Sequence, residues 1–401
     1  MALSDQQIDT LAREAIQRAG QGDFASAETL FARIAQERPN SGQAMHLLGQ
    51  ARLKLGRYTD AREPLQRAAQ FLPRDPAAQV NLAGCLTLLG DHAGALAALD
   101  RARRLKPGDP VIAHNRGRAL EALGRGDEAE QCFNEALSID HRLIPSLSAR
   151  AGLLAARGDW MGALADLDMA LTSRPDDAAL KLRRSELLLM QGDWLRGLPD
   201  YEARLELPGL YKPDRPRWHG EPLAGKLLVY AEQADIESDA ALRDTLLLAR
   251  GIDATVQCSE RIAAVLDLPT IRRGEVLDGF VAAAPLRSLP LLLNWSAHDV
   301  PGIPAQPSPG HAVGWFTAAE PPLGLAVERD TARISTCRLV VGDDGWPTHL
   351  AARMGIHTVL LLDDKPDWAW AAGPGRSPWY GSLHVIRKGD HATLEIGRAH
   401  V

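Results

Sequence analysis

Apolar residues recur at helical spacing through the first half of the chain, and the pattern restarts every 34 residues. In Gln79–Leu89 the apolar positions Val80, Leu82, Leu86, Leu88 and Leu89 predict one helix. Gly90 is placed to end it, because glycine takes a left-handed conformation without a Cβ penalty. A second helix is predicted over Ala93–Leu105, burying Leu96, Leu99 and Ala102, and Pro107 stops the pair. The same hairpin recurs. Gly22, Gly56, Gly90, Gly124, Gly158 and Gly192 keep the step, as do Ala27, Ala61, Ala95, Ala129 and Ala163, with Gly197 in the sixth slot. Bulky Phe31, Leu65, Leu99, Phe133, Leu167 and Tyr201 follow it too, and so do Pro39, Pro73, Pro107 and Pro175, with His141 standing in once. Two prolines fall inside second helices. Pro64 is expected to kink or shorten its helix; Pro199 is expected near a helix start, where proline is tolerated.

A fixed period of this length is that of the tetratricopeptide repeat (TPR). One hairpin cannot bury its apolar face alone, so copies stack into a superhelix with a concave groove that holds an extended peptide or a partner helix. Asn81 and Asn115 share the sixth position of consecutive repeats. The resemblance implies that this position faces the groove, where an asparagine can donate to and accept from a peptide backbone. His46, Gln50, His114 and Arg118 are the neighbouring groove candidates.

The periodicity fails after about Leu207. Pro208, Pro213, Pro216 and Pro222 mark a break. Strands are predicted at Lys226–Ala231, Ala254–Gln257, Ala312–Phe316, Arg338–Gly342 and Thr358–Leu362. Helices are predicted at Asp239–Ala249, Ser259–Leu266 and Trp346–Met354. Such alternation implies a parallel α/β layer. The expected organisation is a repeat superhelix over 1–207, a linker over 208–221 and an α/β domain over 222–401.

Composition narrows the partners. The net charge is −6 and no basic face argues for nucleic acid. The first residues are polar and amphipathic, unlike a signal peptide, and the longest apolar runs are too short to span a bilayer. Cys85, Cys132, Cys258 and Cys337 form no paired motif and read as buried thiols in a reducing cytoplasm. No histidine spacing suggests a metal site.

Several stretches of the second half resemble bacterial TPR proteins whose C-terminal region is similar to a heptosyltransferase. They are PDRPRWHGEPLAGKLLVYAEQ (Pro213–Gln233), APLRSLP (Ala284–Pro290), DTARISTCRLVVGDDGWPTHLAARMG (Asp330–Gly355), and the PDWAW and SPWY segments (Pro366–Trp370, Ser377–Tyr380). The resemblance implies a fold of two Rossmann-like lobes, the glycosyltransferase-B arrangement. The implied activity is inverting transfer of sugar from a nucleotide-sugar substrate, without a cofactor. Alphaproteobacterial flagellin glycosyltransferases share the layout, so it also implies a protein acceptor, flagellin or another surface protein, recruited by the repeats.

Such transfer needs a base for the acceptor proton and donors for the leaving diphosphate. The family's Asp-Thr-x-x-x-His pattern falls on Asp344, Gly345 and His349, with glycine in place of threonine, at a helix opening suited to phosphate. Its Glu-Gln-Gly-x-Gly-Asp pattern falls on Glu232–Glu237. Alanine and isoleucine replace both glycines, and Glu237 stands as the candidate base. Asp235 and Asp239 are close enough that a small shift in alignment nominates them instead, and acidic residues at a helix start would read the same. The 180 residues from Pro222 leave little room for two full lobes. The second domain is therefore expected to be trimmed, and the alternative to an enzyme is a non-catalytic adaptor.

Overall fold

In the computed structural model the chain forms two compact units, Met1–Pro175 and Asp176–Val401. The structure describes residues 3–230, 253–258, 260–263, 269–293, 312–316, 327–329, 331–343, 345–354, 356–362, 375–376 and 383–387.

The first unit is a run of helical hairpins: α1 (Asp5–Gly20) with α2 (Phe24–Glu37), α3 (Gly42–Lys54) with α4 (Tyr58–Phe71), α5 (Pro76–Leu88) with α6 (His92–Leu105), α7 (Pro110–Ala122) with α8 (Gly126–Ile139), and α9 (Ile144–Ala156) with α10 (Trp160–Ser173). Each first helix packs on its own partner and on the second helix of the hairpin before it. The turn inside each hairpin is a glycine at φ between 73° and 84°. A Cβ there would meet no other atom, so the backbone angle, not space, demands glycine. Aspartates then cap the next helix: Asp23, Asp91 and Asp159 accept from the backbone N–H three residues on.

The hairpin interior is set by a small residue facing a bulky one 16 positions later. Phe31, Leu65, Leu99 and Phe133 are all buried. A Cβ at Gly49 would lie 2.4 Å from Leu65 Cγ, and one at Gly117 would lie 2.4 Å from Phe133 Cε1. Here glycine is demanded by closeness.

Pro64 does not shorten its helix as expected. Helix α4 keeps 14 residues, like α6. A proline leaves the carbonyl four residues back without its helical donor. That carbonyl belongs to Asp60, and Arg52 Nη1 donates to it at 2.9 Å.

The second unit opens with α11 (Ala178–Met190) and α12 (Trp194–Tyr201), followed by a 3₁₀ segment, Glu202–Glu206. Pro199 is the sixth residue of α12 rather than near its start; α12 is only eight residues long and tightens directly into the 3₁₀ turn. By sequence this pair is a sixth repeat. By packing it belongs here: Leu189, Trp194, Leu198 and Tyr201 share one core with Leu227, Val229, Val256 and Ala284.

Those last residues come from a four-stranded sheet of order β3-β2-β1-β4, with β1 (Lys226–Tyr230), β2 (Ala254–Gln257), β3 (Thr270–Ile271) and β4 (Phe280–Pro285). All of its pairings are parallel. A six-stranded sheet has order β6-β5-β7-β8-β10-β9, with β5 (Ala312–Phe316), β6 (Val327–Glu328), β7 (Cys337–Asp343), β8 (His357–Leu362), β9 (Gly375–Arg376) and β10 (Leu383–Arg387). It is parallel except for β9. Helix α13 (Trp346–Arg353) joins β7 to β8. The helix predicted at Asp239–Ala249 lies outside the described residues.

Candidate functional site

The first helices of the hairpins present the groove candidates, and two contacts show them side by side. Asn81 of α5 contacts His46 of α3, amide nitrogen to ring Nε2. His114 Nδ1 of α7 lies 3.0 Å from Ser146 Oγ of α9. No hydrogen bond joins Asn81 to Asn115 among the described residues. Asn115 is half-buried and its side chain makes no hydrogen bond there.

The two histidines do different work from the asparagines. His46 is 6% exposed, so it supports Asn81 from beneath and is not itself displayed. Its Nδ1 lies 3.9 Å from Asp75 Oδ2. Burial pulls its pKa down, opposed in part by Asp75. His114 is half-buried against the Phe133 ring, with centroids 5.6 Å apart. Burial, and secondarily the Arg118 charge, lowers its pKa to about 4. Both rings are therefore neutral at pH 7, suited to hydrogen bonding rather than to holding an anion. Arg118 is exposed and pairs with Glu121 at 2.5 Å.

Between these groups the helix is bare. Gly84 lies three residues after Asn81, on the same face of α5. A Cβ there would meet nothing within 4 Å. Leu88, four residues further on, is 55% exposed.

Sequence reasoning missed a further 34-residue register. Arg116, Arg150 and Arg184 occupy one position of successive first helices. Arg116 Nε donates to Asp100 at 2.8 Å. Arg150 holds Asp166 with two bonds, 2.8 and 2.6 Å, and also reaches Asn134 at 2.6 Å. Arg184 holds Asp200 at 2.6 and 3.1 Å. Arg150 and Arg184 reach 16 residues forward to the second helix of their own hairpin, whereas Arg116 reaches 16 residues back to Asp100 on α6, in the hairpin before it. The signal was present in the recurrence of arginine at 116, 150 and 184 and of aspartate at 166 and 200.

In the second unit, Gly345 caps α13 in an extended conformation, at φ −149° and ψ 169°. Thr348 Oγ1 donates to the Asp343 carbonyl at 2.7 Å, and His349 N donates to Gly345 O at 3.1 Å. The His349 side chain is fully buried. Asp344 and Glu237 lie outside the described residues, so Gly345 and His349 are the donor-site candidates that the structure places. All four cysteines are buried and free, with burial raising each pKa, that of Cys258 to about 11. Among the described residues no cluster of His, Cys, Asp or Glu could hold a metal ion, and no helix is long and apolar enough to cross a membrane.

Comparison with known proteins places the repeats. Tetratricopeptide repeat models match residues 18–83, 56–113 and 86–150, and a second such model matches 148–209. The N-terminal part of the chain, through about residue 209, is a tetratricopeptide solenoid, and repeats of this kind bind protein. The chain is similar to a thermophilic TPR protein of Thermus thermophilus, at 28% identity over 45% of this chain and 99% of the other, with a TM-score of 0.38. It is also similar to a TPR protein of Parabacteroides merdae, at 21% identity over 50% and 80%, with a TM-score of 0.45. A third similarity is to PilF of Pseudomonas aeruginosa, at 17% identity over 51% and 94%, with a TM-score of 0.46. No curated protein matches the chain by sequence.

Proposed function

We propose that the repeats hold an extended segment of a partner protein across the first-helix face, and that the α/β unit acts on, or is anchored to, the protein so held. The observation that carries this reading is the strip formed by Asn81, Gly84 and Asn115. A glycine inside a helix costs about 0.5–1 kcal/mol relative to alanine. Among the described residues nothing packed against Gly84 explains that cost. A peptide backbone approaching α5 would explain it, because the missing Cβ lets the chain come within reach of the Asn81 amide. His46 fixes that amide through its nitrogen, so the Asn81 oxygen is turned to accept a peptide N–H, while Asn115 offers both groups. Replacing Asn81 and Asn115 together by Ala should weaken capture of the partner about tenfold or more, the value of two or so hydrogen bonds, with an unchanged helical circular-dichroism spectrum. Undiminished binding by the double variant defeats the proposal.

For the α/β unit, the reading is nucleotide-sugar transfer to the recruited protein, with Glu237, Asp344, Gly345 and His349 as the residues to test. Strand order supports it. The first sheet reads 3-2-1-4 and the second, numbered from its own first strand, 2-1-3-4-6-5, and ligands of open parallel sheets bind where the order reverses. In the second sheet the reversal lies between β5 and β7, and Gly345 follows β7. The second reading is a scaffold without catalysis. It is favoured by the enclosure of His349 and by the Thr348 hydroxyl being bound to Asp343, which leaves little at this helix opening to meet a diphosphate. Thermal shift of the full chain against UDP, GDP, CMP and ADP separates the two. A concentration-dependent rise with one nucleotide supports transfer, since a ligand of the folded state stabilises it by mass action. A folded sample that responds to none supports the scaffold.

A further inference from the structure

We propose a second peptide site on the opposite side of α5, a cavity between α4, α5 and α6 that takes an acidic residue of a bound polypeptide. The cavity has a volume of about 670 Å³ and is lined by Gln66, Ala69, Gln70, Gln79, Arg101 and Arg104, among others. That volume falls within the ~300–1,000 Å³ usual for ligand pockets. Gln79 and Asn81 are two residues apart on α5, roughly 200° around the helix, so this site and the first-helix strip face different ways.

Gln79 is the deciding residue. It is 3% exposed. At the same step of the second, fourth and fifth repeats stand Met45, Ala113 and Leu147, all apolar and buried, with half-buried Leu11 and Lys181 in the first and sixth. An apolar residue therefore suffices for packing at this position, yet here the fold buries an amide. Gln79 Nε2 donates to the Ala69 carbonyl at 3.3 Å, which fixes which end of the amide is which. Its Oε1 is buried with no partner. A buried acceptor left unmatched is costly, and only an N–H or O–H donor can satisfy it.

The arginines supply the second half of the recognition. Arg101 and Arg104 are exposed and neither makes an ion pair or hydrogen bond among the described residues. One repeat further on the corresponding space is closed. Arg103 stands where Ala69 stands, Glu135 stands where Arg101 stands, and the two pair at 3.1 Å. Between the second and third hairpins, small Ala69 leaves the space open and the positive charge uncompensated. A ligand that fits both halves carries an N–H beside an anion. An aspartate or glutamate within a peptide does so, with its backbone N–H on Gln79 Oε1 and its carboxylate on the guanidinium groups. A phosphodiester has acceptors only and would leave Oε1 unmatched.

The test uses the full chain and a fluorescent, end-blocked peptide of five alternating Glu and Asp residues, followed by anisotropy. Saturable binding is expected. The R101Q/R104Q double variant should weaken it about tenfold or more, and the peptide with Gln and Asn in place of the acids should not bind. The R33Q/R142Q variant removes the same charge elsewhere and should leave affinity unchanged. Gln79→Met should weaken the peptide several-fold; it removes the orphan Oε1 but also the donor to the Ala69 carbonyl, whose helical partner position is Pro73, so affinity and not Tm is the readout. A Gln79 that served packing alone would show no loss of affinity. The proposal falls if no saturation appears up to millimolar peptide, if the two arginine pairs weaken binding equally, or if Gln79→Met leaves affinity as it was.

Discussion

The repeat unit and the α/β unit bury apolar surface by opposite routes. In the repeats, Leu65 meets Gly49 and Phe133 meets Gly117, each 16 positions away, and a hairpin is complete within one 34-residue period. In the second unit, β1 takes Ala254 on one side and Phe280 on the other, and a single core joins Leu189 to Leu360. The difference teaches where damage goes. Breaking a local packing pair in the repeats should loosen one hairpin and its neighbours. Breaking an interaction that ties distant segments should weaken the whole sheet.

The largest effect is expected at Glu202. Its carboxylate accepts from Arg204 at 2.6 Å and from Ser288 Oγ at 2.9 Å, and it contacts Arg217. Arg204 is buried, stacks on the Tyr201 ring at 4.3 Å and also donates to Ser288 at 2.8 Å. This network pins the 3₁₀ turn after α12 to the end of β4. Removing one partner of a buried ion pair costs about 3–5 kcal/mol. Glu202→Ala should therefore lower hydrogen-exchange protection throughout β1, β2 and β4 and spare α1–α8. Equal loss of protection in both regions would break the comparison.

A smaller pair of effects, opposite in sign, lies within the repeats. Gly117→Ala drives a methyl group into the fully buried Phe133 ring and should cost about 1–3 kcal/mol by overpacking. Gly84→Ala enters open space and should stabilise by about 0.5–1 kcal/mol, through propensity alone. The same Gly84 change should weaken partner capture. Urea titration with an anisotropy assay reads both. A stabilised Gly84→Ala protein that binds normally would remove the reason for a bare helix face.

Gly84 and Gly117 are the same letter within two predicted first helices, and local pattern cannot tell them apart; only the fold shows one open and the other filled. What is legible is whatever repeats or alternates. The turn glycines, the bulky register and the strands at Lys226, Ala312, Cys337 and His357 follow from local pattern. Strand β4 does not, because Phe280–Pro285 is alanine-rich and lacks both alternation and a run of branched side chains. The arginines at Arg116, Arg150 and Arg184 recur in plain sight, but their aspartates lie on second helices, Asp100 before Arg116 and Asp166 and Asp200 after Arg150 and Arg184, so the register reads as solvated charge until the helices are packed. Of the donor-site residues, motif spacing puts His349 on a helix after β7, yet nothing local reveals that its ring is enclosed.

The smallest expected effect separates the units by pH. His114 is held neutral to about pH 4 by burial, with Arg118 adding repulsion, while its unfolded value is about 6.5. A depressed folded pKa means that the unfolded chain takes the proton first. The contribution of this group to stability is therefore whole above about pH 6.5, shrinks as pH falls toward 4, and changes no further below. His46 acts in the same direction, because its burial outweighs the pull of Asp75. Both lie in the repeats, so part of the acid sensitivity should reside in α3 and α7 and be removable there. His114→Gln keeps a hydrogen-bonding group near Ser146 without a titrating proton, and its Tm should fall less than that of the parent between pH 7 and pH 4.5. Imidazole resonances give the direct check: a His114 ring that titrates at its ordinary value in the folded chain would mean that the ring is solvated, and that the first-helix face is built differently from the one on which the peptide site rests.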